Sequence, residues 1–285
     1  RCSVIPATFD YIRAGSIDEA IAALVEHGDE AKLLAGGHSL LPLMKLRLAA
    51  PEVIVDLGRV DDLRGVTDGG EHLVIGAMTT HDAVIKDPLV QQHCGVLADV
   101  TRTVGDAQVR HRGTIGGAIA HGDAASDLPP LLLALDGTVV VQGPGGRRNI
   151  RAADLFVDYL ETSIAEDEVL VEVRVPKLVG QWGWHYEKFG RVAQAWAIVG
   201  SCAVVKSSNG TIEDVRVGLT HMGTTPLRAS ATEAALAGGS VDAIADAAEH
   251  AADGTSPPSD LNATPEFREH LARVLTRRAL TAAAG

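Results

Sequence analysis

Two glycine-rich segments constrain the fold and function of this chain more than any other feature. Residues 33–40 read Leu-Leu-Ala-Gly-Gly-His-Ser-Leu, which indicates a strand that stops at a glycine pair before a second apolar stretch begins. Because glycine lacks a Cβ, the peptide N–H groups of such a turn can converge on an anion, and phosphate oxygens accept hydrogen bonds from them. The segment therefore predicts a diphosphate site, although the same pattern is also typical of an ordinary tight turn.

The second segment, residues 112–123, reads Arg-Gly-Thr-Ile-Gly-Gly-Ala-Ile-Ala-His-Gly-Asp. It is predicted to form a second loop of the same kind, in which Thr114 offers a hydroxyl and two small alanines leave room for a ligand. Neither segment has the Lys-Ser/Thr ending of a P-loop or the G-x-G-x-x-G spacing of a Rossmann fingerprint. Together the two loops are predicted to grip one diphosphate. The neighbouring run 110–112, Arg-His-Arg, adds positive potential there or is plain solvated surface.

Composition and charge exclude several other classes. The 285 residues are enough for one large or two moderate domains, and only 4% of them are aromatic, so the core must be aliphatic. A formal charge of −12 argues against a nucleic-acid or anionic-membrane surface. No apolar run approaches the roughly 20 residues of a membrane span, and no secretory signal is recognised. We therefore expect no transmembrane segment and no nucleic-acid partner.

The cysteines are three, widely spaced and without a C-x-x-C pair: Cys2, Cys94 and Cys202. Thiolates of this chain alone therefore cannot assemble a zinc site or an iron–sulfur cluster. An odd number of unpaired cysteines favours a reducing compartment, which predicts a cytoplasmic protein.

Local patterns predict the order of the elements. Ser16 and Glu19 form a capping box for a helix that ends at Gly28, and the strands at 33–35 and 53–57 are expected to pair in parallel across the first glycine loop. Residues 180–184 are interpreted as a link between domains, and Asn-Gly at 209–210 predicts a hairpin. Further strands are predicted at 72–77, 138–141, 168–175, 197–206 and 211–220. Further helices are predicted from 81 behind a Thr80 cap, at 89–104, 128–135, 229–236 and 241–252, and at 266–280 behind Thr264 and Pro265.

The chain strongly resembles a known family in the segments Ala35-Gly36-Gly37-His38-Ser39, Thr114-Ile115-Gly116-Gly117 and Ser126-Asp127. That family is the FAD-binding medium subunit of the molybdenum hydroxylases, which includes the carbon monoxide dehydrogenase medium subunits and the xanthine dehydrogenase FAD subunits. The resemblance covers essentially the whole chain. It implies an α+β fold: an FAD-binding domain of the vanillyl-alcohol-oxidase (PCMH) type at 1–176, in subdomains of about 1–58 and 59–176. A smaller α+β C-terminal domain of the carbon monoxide dehydrogenase flavoprotein type, with an antiparallel sheet and helices, follows at 177–285.

The resemblance also implies the residues that bind FAD. Backbone amides of 35–39 and 114–118 would hold the diphosphate, Lys188 would lie near the flavin, and Trp196 would lie beside the isoalloxazine. The plainer alternatives are an outward-facing strand lysine and a core tryptophan. Asp127 is predicted to cap the helix that follows it, or to bind ribityl or ribose hydroxyls of FAD. No residue is predicted to be catalytic or to bind a metal, and the predicted cofactor-binding residues are Ala35, Gly36, Gly37, His38, Ser39, Leu40, Thr114, Ile115, Gly116, Gly117, Ala118, Asp123, Asp127, Lys188 and Trp196.

Three positions depart from the family pattern. Relatives frequently have Asn or Ser at Ala118, Pro at Ala124 and Asp at Ala195. An alanine still offers its backbone N–H at the first of these positions, but Ala195 removes a polar contact near the flavin. His38 is expected to contribute its backbone rather than acid–base chemistry.

The function implied by the resemblance is electron transfer. FAD would accept electrons from a [2Fe–2S] small subunit, in a complex whose large subunit carries molybdopterin, and would pass them to an external acceptor. Such assemblies are typically dimers of heterotrimers. The alternatives are a self-sufficient FAD oxidoreductase on the same fold, for which no substrate acid or base can be assigned, and a scaffold subunit that has lost its cofactor.

Overall fold

The structure is a computed structural model that describes residues 5–285, so Cys2 lies outside the described residues. The strands are β1 (Asp10–Arg13), β2 (Ala31–Leu34), β3 (Val53–Asp56), β4 (Val66–Asp68), β5 (His72–Gly76), β6 (Thr138–Gly143), β7 (Gly146–Arg151), β8 (Phe156–Asp158), β9 (Glu161–Thr162), β10 (Val169–Pro176), β11 (Trp182–Phe189), β12 (Val199–Ser208), β13 (Thr211–Thr220) and β14 (Leu227–Arg228). The helices are α1 (Ile17–His27), α2 (Leu40–Lys45), α3 (His81–Lys86), α4 (Pro88–His93), α5 (Gly95–Arg102), α6 (Ala107–Arg112), α7 (Ile115–Ala120), α8 (Leu128–Ala134), α9 (Ala152–Leu155), α10 (Ser230–Leu236), α11 (Ile244–Ala248) and α12 (Pro265–Ala284).

The first layer is a small parallel sheet in the order β1-β3-β2, packed against α1. The parallel pairing predicted across the first glycine loop is confirmed. Ser16 Oγ accepts from Glu19 N at 3.1 Å, and the carboxylate of Glu19 accepts from Gly15 N at 2.7 Å, one residue earlier than a capping box requires. Gly28, with φ of 53°, ends the helix as predicted.

The second layer is a five-stranded antiparallel sheet in the order β4-β5-β10-β6-β7. Successive strand residues face opposite sides, so Val139 and Val141 of β6 join the core beneath helices α3 to α8, whereas Val140 joins the core around α1. The inner strand β6 is therefore buried on both faces, whereas the edge strand β7 is largely exposed. This position leaves the first glycine loop at the junction of the two layers.

The prediction of one helix over 89–104 is wrong. The segment forms two helices, α4 and α5, which are separated at Cys94, where φ is −151°. A Cβ on Gly95 would lie 2.6 Å from the ring of Trp184, so the glycine lets the indole approach the backbone at the break. A tertiary contact with a residue far along the chain thus overrides the helical pattern.

The prediction of a link at 180–184 is also wrong, because Trp182 begins β11, which pairs along its full length with β12. A Cβ on Gly183 would lie 1.9 Å from the carbonyl oxygen of Ala283, so this glycine marks the point where α12 crosses the strand. The order of the C-terminal sheet is β11-β12-β13-β14, all antiparallel.

The β12–β13 hairpin is confirmed, with Asn209 and Gly210 at φ of 51° and 76° as a two-residue turn requires. Residues 241–252 are not one helix: short 3₁₀ turns flank α11. The Thr264 cap of α12, with Pro265 at its first position, is confirmed by the hydrogen bond from Phe267 N to Thr264 Oγ1 at 3.4 Å.

Strand β12 joins the C-terminal sheet to the rest of the molecule. Cys202 and Val204 pack into the core of the preceding helices, whereas Ala203 and Val205 pack beneath α12. The predicted α+β class with an antiparallel C-terminal sheet is confirmed, and the exact boundary near residue 177 stays a prediction. Among residues 5–285, no helix combines the length and apolar character that a membrane crossing requires.

Candidate functional site

The two glycine segments and the C-terminal sheet enclose a cavity of about 590 Å³. It lies where the first sheet, α7, β11 and the 190–197 loop meet. Of the predicted binding residues, Ile115 and Asp123 do not line it. Those that do are Ala35, Gly36, Gly37, His38, Ser39, Leu40, Thr114, Gly116, Gly117, Ala118, Asp127, Lys188 and Trp196. The fold therefore brings residues from both domains to one ligand-sized site.

The first glycine loop presents a run of free backbone donors to this cavity. Helix α2 starts with Leu41 N donating to Gly37 O at 3.1 Å. For the amides of residues 36–40, no acceptor is present within residues 5–285. Gly37 has φ of 78°, a left-handed conformation that turns successive N–H groups toward one side. Such a nest suits the oxygens of a diphosphate.

Gly36 is where the two glycine segments meet. A Cβ at this position would lie 2.3 Å from the carbonyl oxygen of Arg112 and 2.7 Å from Cα of Gly113. Farther along, a Cβ on Gly117 would lie 3.5 Å from Cβ of Ala35. The missing side chains therefore allow two backbones to approach each other at the floor of the cavity.

The second segment is a helix rather than the predicted loop, because Thr114 caps α7 by accepting from Gly117 N at 3.2 Å. The next amides are also paired: Ile115 N donates to Thr79 O at 3.0 Å, Gly116 N to Ala77 O at 2.9 Å and Ala118 N to Thr114 O at 3.0 Å. In this structure the segment contributes a close wall and the Thr114 hydroxyl. The run of five consecutive amides without an acceptor among residues 5–285 lies in the first loop.

Asp127 does not cap the following helix, contrary to prediction, because its carboxylate is turned to the C-terminal sheet. Tyr186 donates its hydroxyl to Oδ1 at 2.6 Å, and Lys188 donates Nζ to Oδ2 at 2.8 Å. Asp127 is only 5% exposed, and burial raises its pKa, against the opposing effect of Lys188 and Tyr186. Lys188 Nζ also donates to Thr103 O at 3.1 Å, so the lysine is an inward-facing ion-pair partner at the cavity wall.

Trp196 lines the mouth of the cavity and is 55% exposed, which excludes the alternative of a core tryptophan. It belongs to the 190–197 loop, which is closed by a hydrogen bond of 2.8 Å from Ile198 N to Phe189 O. An aromatic ring at this edge offers a surface on which a planar ligand can stack.

His81 is a site residue that the sequence analysis missed, since it was interpreted only as the first residue of α3. It is 3% exposed, lines the cavity beside the first loop, and has no partner for Nδ1 within residues 5–285. Burial, then the neighbouring His38 and Arg110, lower the pKa of His81 to about 4. The imidazole of His81 is therefore neutral at pH 7, so it adds no positive charge to the cavity wall beside the first glycine loop.

His81 predicts a loss of stability in mild acid. Its pKa is about 4 in the folded chain, against an ordinary value of 6.5, so the unfolded chain binds an extra proton between these values and stability falls as pH falls from 6.5 to 4. At about 1.4 kcal/mol per pH unit, we expect His81→Gln to remove about 2–3 kcal/mol of this loss. Urea unfolding at pH 7 and pH 4.5 measures it. His72→Gln, at a half-buried histidine outside the cavity, is the control and should leave the pH dependence as in the wild type.

Comparison with known proteins identifies the family of this chain. A family model described as the FAD binding domain in molybdopterin dehydrogenase matches residues 7–178, and the CO dehydrogenase flavoprotein C-terminal domain matches residues 184–283. The chain belongs to the FAD-binding subunits of the molybdopterin dehydrogenases. Its predicted family is thereby confirmed, and FAD is its cofactor.

Relatives of this FAD-binding subunit align over nearly their whole length. The carbon monoxide dehydrogenase medium chain of Hydrogenophaga pseudoflava is 41% identical, and the alignment covers 98% of each chain. The nicotine 6-hydroxylase medium subunit of Paenarthrobacter nicotinovorans is 36% identical with 96% of each covered. A solved carbon monoxide dehydrogenase from Hydrogenophaga pseudoflava superposes with a TM-score of 0.96 at 43% identity over 98% of both chains.

The site fits the cofactor on its own chemistry. The five consecutive amides of residues 36–40, which have no acceptor in the part of the chain that the structure describes, match the acceptor-rich diphosphate. The lining of the same cavity includes the half-exposed Trp196. Lys188 and Asp127 lie between these ends. The chain is thus an FAD-containing oxidoreductase subunit of the molybdenum hydroxylase type.

Proposed function

We propose that this subunit takes electrons from a [2Fe–2S] small subunit and passes them to an external acceptor, in a complex whose molybdopterin-containing large subunit oxidises the substrate. The observation that carries the proposal is the cavity itself, which joins a diphosphate nest to a partly open mouth at Trp196. Such a mouth brings one edge of the cofactor close to the surface, which shortens the distance that electrons travel to groups outside the chain. Bound FAD supplies the ability to take up one or two electrons.

The residues of this chain have separate roles in the proposal. The amides of residues 36–40 and the Thr114 hydroxyl hold the diphosphate, and the backbone of His38 contributes within the same nest. Asp127 accepts from hydroxyl groups of the sugar part of FAD, and Trp196 covers the ring system. Lys188 places a positive charge at the cavity wall, where it stabilises the negative charge of the reduced cofactor. Ile115 and Asp123 support these segments from outside the cavity.

Removal of the Lys188 charge is expected to make the bound cofactor harder to reduce. We expect Lys188→Met to lower its two-electron midpoint potential by about 30 mV, the equivalent of about 1.4 kcal/mol. Lys188→Arg keeps the charge and should stay close to the wild-type potential. Spectroelectrochemical titration of the purified complex measures the potential of each variant. Equal potentials for the wild type, Lys188→Met and Lys188→Arg would show that the charge of Lys188 does not stabilise the reduced cofactor.

The electron-transfer route is tested by rapid mixing of the purified complex with its substrate under anaerobic conditions. We expect the signals of the [2Fe–2S] cluster to change first and the flavin absorbance to change after them. A complex depleted of FAD should still reduce its cluster but should not pass electrons to the acceptor. If this chain were instead a self-sufficient oxidoreductase, the isolated subunit would reduce its own FAD with substrate, and the route through the cluster would be contradicted.

Carbon monoxide is the candidate substrate of the large subunit. Two carbon monoxide dehydrogenase medium chains, from Hydrogenophaga pseudoflava and Afipia carboxidovorans, are 41% and 37% identical to this chain. CO-dependent dye reduction by the purified complex tests this assignment, with nicotine and aldehydes as competing candidates. The terminal acceptor, whether NAD⁺, quinone or O₂, is identified when each of these replaces the dye in turn. The cytoplasmic location and the dimer of heterotrimers stay predictions.

A further inference from the structure

The strand β11 sends two side chains across the domain junction to one buried carboxylate. Tyr186 and Lys188 are two residues apart and therefore point to the same face of the strand. The tyrosine hydroxyl donates to Asp127 Oδ1 at 2.6 Å, and the lysine donates to Oδ2 at 2.8 Å. Each oxygen of Asp127 thus has its own donor, and both donors come from the other domain.

The space for the tyrosine hydroxyl is provided by the neighbouring strands. A Cβ on Gly200 would lie 2.5 Å from this oxygen, so only glycine at that position leaves the hydroxyl where it is. Thr220 Oγ1 lies 3.2 Å away on β13. The position of the hydroxyl is therefore determined by the packing of Gly200 as well as by hydrogen bonding. Of its two hydrogen bonds, the one to Asp127 is shorter than the one to Thr220.

We propose that Tyr186 is a positioning residue of the FAD site, whose hydroxyl fixes the Asp127 carboxylate in place at the cavity wall and favours its ionised form. An ionised carboxylate is the stronger acceptor for sugar hydroxyls, and its orientation leaves Lys188 paired at the cavity wall. This inference rests on the roles proposed for Asp127 and Lys188 above. It adds a residue outside the cavity lining to the set that determines FAD affinity.

The chemistry around Asp127 gives the inference a pH signature. Burial already favours the neutral acid, and Lys188, Tyr186 and Thr103 oppose it, while Thr220 and Cys202 face the tyrosine from β13 and β12. Without the hydroxyl, the carboxylate loses one charge-stabilising donor and its pKa rises further. Protonation of Asp127 then becomes more favourable, so we expect FAD binding to weaken as pH falls.

The test uses the intact complex from which FAD has been removed and then titrated back, with flavin fluorescence as the readout from pH 6 to pH 9. We expect Tyr186→Phe to raise the FAD dissociation constant about tenfold at pH 6, with a smaller effect at pH 9. Gly200→Ala keeps the tyrosine but displaces its hydroxyl and should show the same pH profile. Thr220→Val removes the other hydroxyl without touching Asp127 and should remain within about twofold of wild type at every pH.

Each outcome decides the inference. If Tyr186→Phe binds FAD with wild-type affinity from pH 6 to pH 9, the inference is overturned. It is also overturned if Tyr186→Phe loses FAD affinity by the same factor as Thr220→Val at every pH, since that result would indicate an effect of packing alone. The variant Asp127→Asn distinguishes a failure of the role inferred for Tyr186 from a failure of the role proposed for Asp127 in FAD binding. If Asp127→Asn also binds FAD normally, the role of the carboxylate itself is wrong. If only Asp127→Asn weakens binding, the carboxylate role stands and the role of Tyr186 does not.

Discussion

A Gly36→Ala variant is expected to lose FAD. The new Cβ would lie 2.3 Å from the carbonyl oxygen of Arg112, a contact with backbone that no side-chain rotation can relieve. The first loop must then move away from the end of α6 at Arg112 and Gly113, and the amides of residues 36–40 no longer converge on the diphosphate. We expect the FAD dissociation constant to rise by roughly 100-fold or more, which corresponds to about 2.7 kcal/mol. Overpacking also costs about 1–3 kcal/mol of folding stability.

The matched control for this variant is Gly145→Ala. A Cβ on Gly145 would meet nothing within 4 Å, and its backbone is not left-handed, so the same chemical change there has no steric consequence. FAD content after gel filtration and the thermal midpoint should be those of the wild type. A Gly36→Ala protein that retains stoichiometric FAD would show that the close contact of the two segments is not required for cofactor binding.

The second large effect is expected at Arg268, which is 0% exposed at the start of α12. Its guanidinium hydrogen-bonds the carbonyl oxygen of Ile198 and lies 2.8 Å from the carboxylate of Asp260. Nη1 also contacts His221 Nδ1 at 3.1 Å, and that histidine nitrogen is 2.9 Å from the carbonyl oxygen of Ala197. The buried arginine therefore anchors the end of the loop that carries Trp196.

Arg268→Met is expected to lower the free energy of unfolding by about 3 kcal/mol, because it leaves a buried carbonyl and a charged partner without their donor. Asp260 is partly exposed, so water can hydrate its carboxylate when the arginine is removed. The expected loss of unfolding free energy is therefore at the lower end of the range for a broken buried ion pair. The 190–197 loop should also become more sensitive to proteolysis. Urea unfolding and limited digestion measure these effects.

Arg277→Met is the control on the same helix, since Arg277 is exposed. This change should alter the free energy of unfolding by less than about 0.5 kcal/mol and leave the digestion pattern unchanged. If the two arginine variants were equally stable, the buried guanidinium would not anchor the loop, and its contacts with Ile198 and Asp260 would be incidental.

The residues that sequence analysis located correctly are those whose environment is local. The glycine pair at 36–37 breaks its strand by its own conformational freedom, and the Asn-Gly turn at 209–210 closes a hairpin between adjacent strands. Thr264 and Pro265 start α12 for the same reason, because cap and helix are neighbours in sequence. The motif resemblance then identified the cofactor, which the family models support.

The errors occurred where a distant residue decides the outcome. Asp127 was expected to cap its own helix, but its partners Tyr186 and Lys188 are 59 and 61 residues further along the chain. The break before Gly95 depends on the ring of Trp184, which packs against it. His81 was missed because its burial beside the first glycine loop follows from tertiary packing alone. No local pattern carries this information.

The most direct measurement is the release and identification of the cofactor from the purified native complex, with and without Gly36→Ala. We expect one FAD per copy of this chain in the wild type. We also expect a Gly36→Ala complex that keeps the iron–sulfur signals of its partner but has no flavin absorbance. A wild-type complex without flavin, or a Gly36→Ala complex with a full complement of FAD, would contradict the assignment of the cofactor to the first glycine loop of this chain.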